Sequence, residues 1–215
     1  MRGVGNDVVD LKEPDNRGKS GDDRFLARVF TAQEREQIAQ AAAPDALLWS
    51  FWAAKEAAYK AVSGGDQSLC SIPRCYPVYL DAEASAEAFG AAAGADRRLT
   101  GRVITPRGEM ALRITVTDDY VHALAAGSDA DFAGIIQRVD RMEDGGNPGD
   151  PSVFVRRQLL AELSRRLGCS IDELTVRNDP SGSGAPRVFR GDRPLSLEIS
   201  FSHDGRFTAF AFSLS

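Results

Sequence analysis

Three stretches, far apart in a chain of 215 residues, carry side chains that could do chemistry together. Asp7 lies in the β-branched run Gly3-Val-Gly-Asn-Asp-Val-Val-Asp-Leu11, where a carboxylate needs a metal, an N–H or a cation as partner. Glu56 and Lys60 stand one helical turn apart in Trp52-Ala-Ala-Lys-Glu56-Ala-Ala-Tyr-Lys60. Ser202, His203 and Arg206 crowd the segment Ser200-Phe-Ser-His-Asp-Gly-Arg206. Two carboxylates from different elements can hold Mg²⁺, with waters and a phosphate completing an octahedron. Lysine, histidine and arginine would then hold the other phosphate oxygens, which suits phosphoryl transfer or pyrophosphate binding. Each stretch also has a plainer reading. Asp7 and Asp10 could cap a turn, Glu56 and Lys60 could pair on a solvated helix face, and a lone histidine is usually structural.

The elements that must position these groups follow from periodicity. Leu47, Leu48, Phe51, Ala54, Ala58 and Val62 recur at three- and four-residue steps, which predicts a helix from Pro44-Asp45 to Ser63-Gly64-Gly65 with one buried face. Proline at its entrance and glycine at its exit agree with that span. Val8, Val9 and Leu11 suit a strand. Arg24 to Gln40 reads as a helix in two pieces, and Thr31-Ala-Gln-Glu34 has the form of a capping box, which is sufficient to explain Glu34. Ser71 to Leu80, with its prolines, reads as an edge strand. Ala82 to Ala95 is alanine-rich and reads as either a helix or a loose loop. Leu99 to Thr105, Glu109 to Thr117 and Val121 to Ala126 alternate as strands, the last holding His122 with no polar companion nearby.

Gly145-Gly-Asn-Pro-Gly-Asp-Pro151 is the clearest linker. After it Ser152 caps a helix that runs to about Leu167, is closed by Gly168 and is rich in arginine. Leu174 to Arg177 and Pro186 to Phe189 follow. Leu195 to Phe212 then folds back at Asp204-Gly205 as a hairpin with His203 at its mouth.

Hydrophobic content of 43%, charged content of 27% and a net charge of −5 describe a soluble globular protein and argue against non-specific nucleic-acid binding. No apolar run is long enough for a membrane span, and the N-terminus lacks the apolar core of a signal peptide. Three cysteines, Cys70, Cys75 and Cys169, are an odd and sparse count, which points to a reducing cytoplasm. Cys70 and Cys75 have no second pair to complete a zinc site. Neither a Walker loop nor a dinucleotide fingerprint is present.

At the same residues the chain resembles the 4′-phosphopantetheinyl transferase superfamily. Gly5-Asn-Asp7-Val-Val-Asp10 looks like its Gly-x-Asp motif, Arg28-Val-Phe-Thr-Ala-Gln-Glu34 like the segment that follows, and Trp52 to Lys60 like its Trp-x-x-Lys-Glu signature. Gly184-Ala-Pro-Arg and Ser200 to Arg206 look like its Gly-Lys-Pro and Ser-x-Ser-His segments. The motif order is that of the short holo-acyl-carrier-protein synthases, but the chain is nearly twice their size. The resemblance therefore implies the two-half, surfactin-synthetase-activating type with its halves exchanged. That is an α+β fold of two similar halves related by a pseudo-twofold, each with a small antiparallel sheet packed on helices. Residues 1–142 would form the first half, 143–151 the linker and 152–215 the second half.

The resemblance implies that coenzyme A binds between the halves with Mg²⁺ on its pyrophosphate. A serine of an acyl, peptidyl or aryl carrier protein, serving fatty-acid, polyketide or non-ribosomal peptide synthesis, would take the phosphopantetheine arm, and 3′,5′-ADP would leave. It assigns Asp7 and Glu56 to the metal, with either Asp10, which would point away from Asp7 in a regular strand, or a water completing the shell. It assigns Glu56 also to the serine proton, and Lys60 and Lys55 to the phosphates. Arg157, Ser202, His203 and Arg206 would bind coenzyme A. The protein would work as a cytoplasmic monomer. Two departures stand out: Val9 replaces the second acid of Gly-x-Asp-x-Glu, and Ala185 replaces the Gly-Lys-Pro lysine, for which Arg187 or Arg190 could substitute. The alternative is a coenzyme-A-binding or carrier-docking module without transfer, which would have no use for Asp7, Glu56 and Lys60 together.

Overall fold

A computed structural model describes residues 3–64, 66, 68–81, 96–142, 149–178 and 185–214. The alanine-rich stretch, most of the linker and the turn at 179–184 lie outside them.

The organising element is β1 (Gly5–Asp10), buried along its whole length. Its odd and even residues face different neighbours, as strand pleating requires. Val9 packs in the core beneath a 20-residue helix, α3 (Pro44–Ser63), together with Ala54, Ala57, Ala58 and Ala61. Contact is so close that a Cβ at Gly5 would fall 1.8 Å from the Ala57 carbonyl oxygen. Only glycine on the strand and alanine on the helix permit this approach. Val4 and Val8 face the other way, Val8 meeting Phe207 and Ala209. A strand covered on both faces shows no clean alternation of apolar and polar residues, which is why Asn6, Asp7 and Asp10 can all be buried.

Helices α1 (Asp23–Val29) and α2 (Ala32–Gln40) precede α3. Strands β2 (Val78–Leu80), β3 (Arg97–Thr105), β4 (Gly108–Val116) and β5 (Tyr120–Ala126) follow it. They form an antiparallel sheet in the order β1-β5-β4-β3-β2, with β2 at the edge. The edge strand is shorter than its sequence suggests, because Pro73–Cys75 is a 3₁₀ turn.

Next come β6 (Ile135–Arg141), α4 (Pro151–Leu167), β7 (Leu174–Asn178), β8 (Pro186–Arg190) and β9 (Arg193–Pro194). The hairpin of β10 (Leu197–Asp204) and β11 (Phe207–Leu214) ends the chain. Asp150, not Ser152, caps α4, accepting the Ser152 amide at 2.8 Å. Val155, Leu159 and Leu163 of α4 pack on Phe210 and Phe212. The strands of this part divide between two three-stranded sheets, β10-β11-β6 and β7-β8-β9. Strand β6, which precedes the linker, therefore pairs with β11 from beyond it. Among the described residues no helix is long and apolar enough to cross a membrane.

Candidate active site

The seam between β1 and β10 brings the distant motifs together. Ser200, Ser202 and Asp204 lie on one side of β10 and all reach β1. The Asn6 amide donates to Ser200 Oγ at 2.9 Å, Ser202 Oγ donates to Asn6 Oδ1 at 3.0 Å, and the Asp10 amide donates to Asp204 Oδ2 at 2.8 Å. Asp204 also accepts from Asn16 Nδ2 at 2.7 Å. These polar residues alternate along β10 with Leu197, Ile199 and Phe201, whose side chains pack toward α4.

On the helix side of β1, Lys60 Nζ donates to Asp7 Oδ1 at 2.7 Å and to the Asn6 carbonyl at 3.1 Å. Burial pushes the Asp7 carboxyl above its ordinary value against the pull of Lys60, with Asp204 adding to the rise and His203 opposing it. Glu56, one turn before Lys60 and half-buried, is also raised, first by burial and then by Asp7, with Lys60 opposing. Asp7, Glu56 and Lys60 are thus within electrostatic reach of one another, and His203 is within reach of Asp7. Two carboxylates pushed upward by burial, and by Asp204 on Asp7 and Asp7 on Glu56, form a donor set that a cation would stabilise in its ionised state.

A cleft of about 820 Å³ opens beside this cluster, between the C-terminal end of α3, the β3–β4 turn, β8 and β10. Lys60, Arg107, Ala185 and Arg187 are in its walls. Of the two candidates to replace the missing lysine, Arg187 therefore lines the cleft, whereas Arg190 pairs with Glu173 at 2.8 Å.

Several assigned residues stand elsewhere. Lys55 is sealed in the core at 1% exposure, its Nζ 2.8 Å from Glu34 Oε1 and 2.9 Å from the Tyr76 carbonyl. It cannot reach a phosphate in the cleft. Burial lowers its pKa and Glu34 resists that shift. Glu34 does cap α2, accepting the Thr31 amide, but it also accepts the Val78 amide, so one buried carboxylate ties α2, α3 and β2 together.

Asp10 does not join Asp7. Three residues on, it faces the opposite side of β1 and receives a two-pronged ion pair from Arg206: Nε to Oδ2 at 2.8 Å and Nη2 to Oδ1 at 2.7 Å. The amides of Lys12 and Arg206 also donate to it. Burial alone would raise its pKa, but these bonds outweigh it and hold the carboxyl at about 2. With its oxygens filled, Asp10 is a structural anion rather than a metal ligand. Arg206, which also approaches Asp119 at 3.4 Å, is correspondingly committed and not offered to coenzyme A. Gly205 permits this closure. Its φ is 49°, and a Cβ there would lie 2.6 Å from Asp10 Oδ2.

Ser202 is buried with its hydroxyl on Asn6, inside the seam and not in the cleft. His122 has a polar companion after all: its Nε2 lies 3.3 Å from Asn6 Oδ1. Burial, then the charge of Lys60, depresses this imidazole to about 3, so it is neutral. Arg157 is exposed on α4 and is not among the described residues lining the cleft. No group of three His, Cys, Asp or Glu side chains converges on a metal position among the described residues. Any divalent ion here would rest on Asp7 and Glu56 with water and phosphate oxygens.

Of the motif residues, Asp7 and Lys60 are thus paired, with Glu56 in electrostatic reach of both. The family model of the 4′-phosphopantetheinyl transferase superfamily matches residues 3–125, so the chain belongs to that superfamily. Similar curated proteins include holo-(acyl-carrier-protein) synthases of three bacteria. That of Mesorhizobium japonicum is 27% identical over 131 residues, spanning 57% of this chain and 88% of the relative. That of Nitrobacter hamburgensis is 30% identical over 136 residues, spanning 57% and 89%. That of Methylorubrum populi is 32% identical over 117 residues, spanning 54% and 84%. Nearly the whole of each relative thus aligns with little more than half of this chain.

Proposed function

We propose that this protein transfers the 4′-phosphopantetheine arm of coenzyme A to a serine of an apo carrier protein. The observation that carries the reading is the Asp7–Lys60 ion pair with Glu56 in electrostatic reach, of which Lys60 also lines the cleft between the two parts of the chain. The names of the relatives make an acyl carrier protein the first acceptor to test.

Coenzyme A would lie in the cleft with its phosphates toward Lys60 and Arg187. Lys60, held by Asp7 and the Asn6 carbonyl, presents a fixed ammonium there. Glu56 is the residue to take the serine proton, because its raised pKa makes it a better base than an ordinary carboxylate. The serine oxygen then bonds to the β-phosphorus that bears the pantetheine arm, the bond from that phosphorus to the bridging oxygen breaks, and 3′,5′-ADP leaves. Asp7 and Glu56 would hold Mg²⁺, which when bound neutralises phosphate charge and polarises the reacting phosphorus. His203, exposed at the mouth of the hairpin, and Arg157 on α4 would each bind a coenzyme A phosphate only from outside the described lining of the cleft.

The test is the mass of a purified apo acyl-carrier protein after incubation with this protein, coenzyme A and Mg²⁺. A gain of roughly 340 Da that disappears with EDTA is the expected result for metal-assisted transfer. Coenzyme A binding by calorimetry without any mass gain, across acyl, peptidyl and aryl carriers, would favour a binding module instead.

A further inference from the structure

Outside the cluster, the turn that leaves α3 brings together two thiols. Cys70 and Cys75 are free cysteines whose Sγ atoms lie 2.7 Å apart, in hydrogen-bond contact. The approach is imposed by the surrounding backbone. The Cys75 amide donates to the Ile72 carbonyl at 2.9 Å and the Tyr76 amide to the Pro73 carbonyl at 3.0 Å, closing the 3₁₀ turn between the thiols. Tyr76 Oη donates to the Cys70 carbonyl at 2.7 Å, holding the far end of the turn. Arg74 Nη1 docks the same turn on the Ala27 carbonyl of α1 at 3.2 Å. Cys75 is exposed and Cys70 half-buried, so a solute can reach the pair.

We propose that Cys70 and Cys75 are a reversible dithiol–disulfide site oxidised by small-molecule disulfides. The site is independent of the transferase reading. Cys75, the more exposed thiol, loses its proton and attacks one sulfur of the oxidant. One thiolate of the oxidant leaves and is protonated, and Cys75 carries a mixed disulfide. Cys70 then loses its proton and attacks Cys75 Sγ, expelling the second thiol. One disulfide is reduced to two thiols and the protein dithiol is oxidised by two electrons. Since the partner is already in contact, the second step outruns accumulation of the mixed disulfide. The bridge would fasten the turn whose Tyr76 carbonyl caps Lys55 and whose Tyr76 ring packs edge-on against Tyr59 of α3 at 5.9 Å.

The whole protein, reduced and then treated with oxidised glutathione, provides the test. Titratable thiols under denaturation should fall from three to one, with Cys169 the remaining thiol, and dithiothreitol should restore all three. Trypsin cuts after Arg74, between the two cysteines, so fragments 61–74 and 75–97 should travel as one mass until reduced. In Cys70→Ser the reaction should stop at a stable glutathione adduct on Cys75. Persistent adducts on the unsubstituted protein, or fragments that separate without reductant, would overturn the proposal.

Discussion

Replacing Asp10 by asparagine separates the two acids of β1. The substitution keeps the shape and removes the charge that Arg206 grips at 2.7 and 2.8 Å. Folding moves the Asp10 carboxyl from 3.8 to about 2. At about 1.4 kcal/mol per tenfold change in proton affinity, the shift corresponds to about 2 kcal/mol of stability. Because the folded pKa is the lower one, this stability is fully present above pH 3.8 or so. It is lost as pH falls toward 2, where the folded carboxyl also protonates. Urea unfolding of the two proteins between pH 2.5 and 7 measures it. Asp10→Asn should be less stable than the parent by at least about 2 kcal/mol at neutral pH, with the gap closing in acid. Stranding Arg206 would widen the gap at every pH without changing that trend. A gap constant across the range would refute the assignment of a depressed carboxyl. The same variant, where folded, should keep transfer activity, whereas Asp7→Asn should lose it. Equal loss in both would return Asp10 to the metal.

Glu56→Gln should lower transfer by about a hundredfold or more, the scale of a lost general base. It should also raise the thermal midpoint at neutral pH, because a buried carboxyl with a raised pKa is destabilising once ionised; a lower midpoint would show that Glu56 is mainly structural. In the unsubstituted enzyme the transfer rate should climb with pH as Glu56 ionises, and that acid limb should be missing from the residual activity of Glu56→Gln; its persistence there would exclude Glu56 as the base. Lys55→Met should cost about 3–5 kcal/mol in urea unfolding by leaving Glu34 buried and unpaired, while the coenzyme A affinity of folded protein stays unchanged; weakened affinity would place Lys55 in the cleft. Gly5→Ala should destabilise by about 2–3 kcal/mol, since β1 must lift off the Ala57 carbonyl, and a neutral result in calorimetry would contradict that close approach.

Local chemistry was legible in the sequence wherever neighbours along the chain determine it. The limits of α3 follow from Pro44, the apolar spacing and Gly64, which sits at φ 47°. The capping box of Thr31 and Glu34, the strands β3 to β5 and the turn at Gly205 are similarly local. The pairing of Glu56 with Lys60 on one helix face, and the need of Asp7 for a cation, could also be stated from residue types alone. What only the tertiary structure decided is which charges meet. Lys55 and Lys60 are five residues apart on one helix, yet one is sealed against Glu34 and the other faces Asp7 and the cleft. Asp7 and Asp10, three apart on one strand, face opposite sides by the strand period alone, but that these sides hold α3 and the Arg206 hairpin was decided by the fold. Strand β6 likewise found its partner across the linker. Helix and strand periods assign a residue to a face, but the partner on that face comes from chain segments up to 196 residues away. The low dielectric between them then makes one pairing far more favourable than its alternatives.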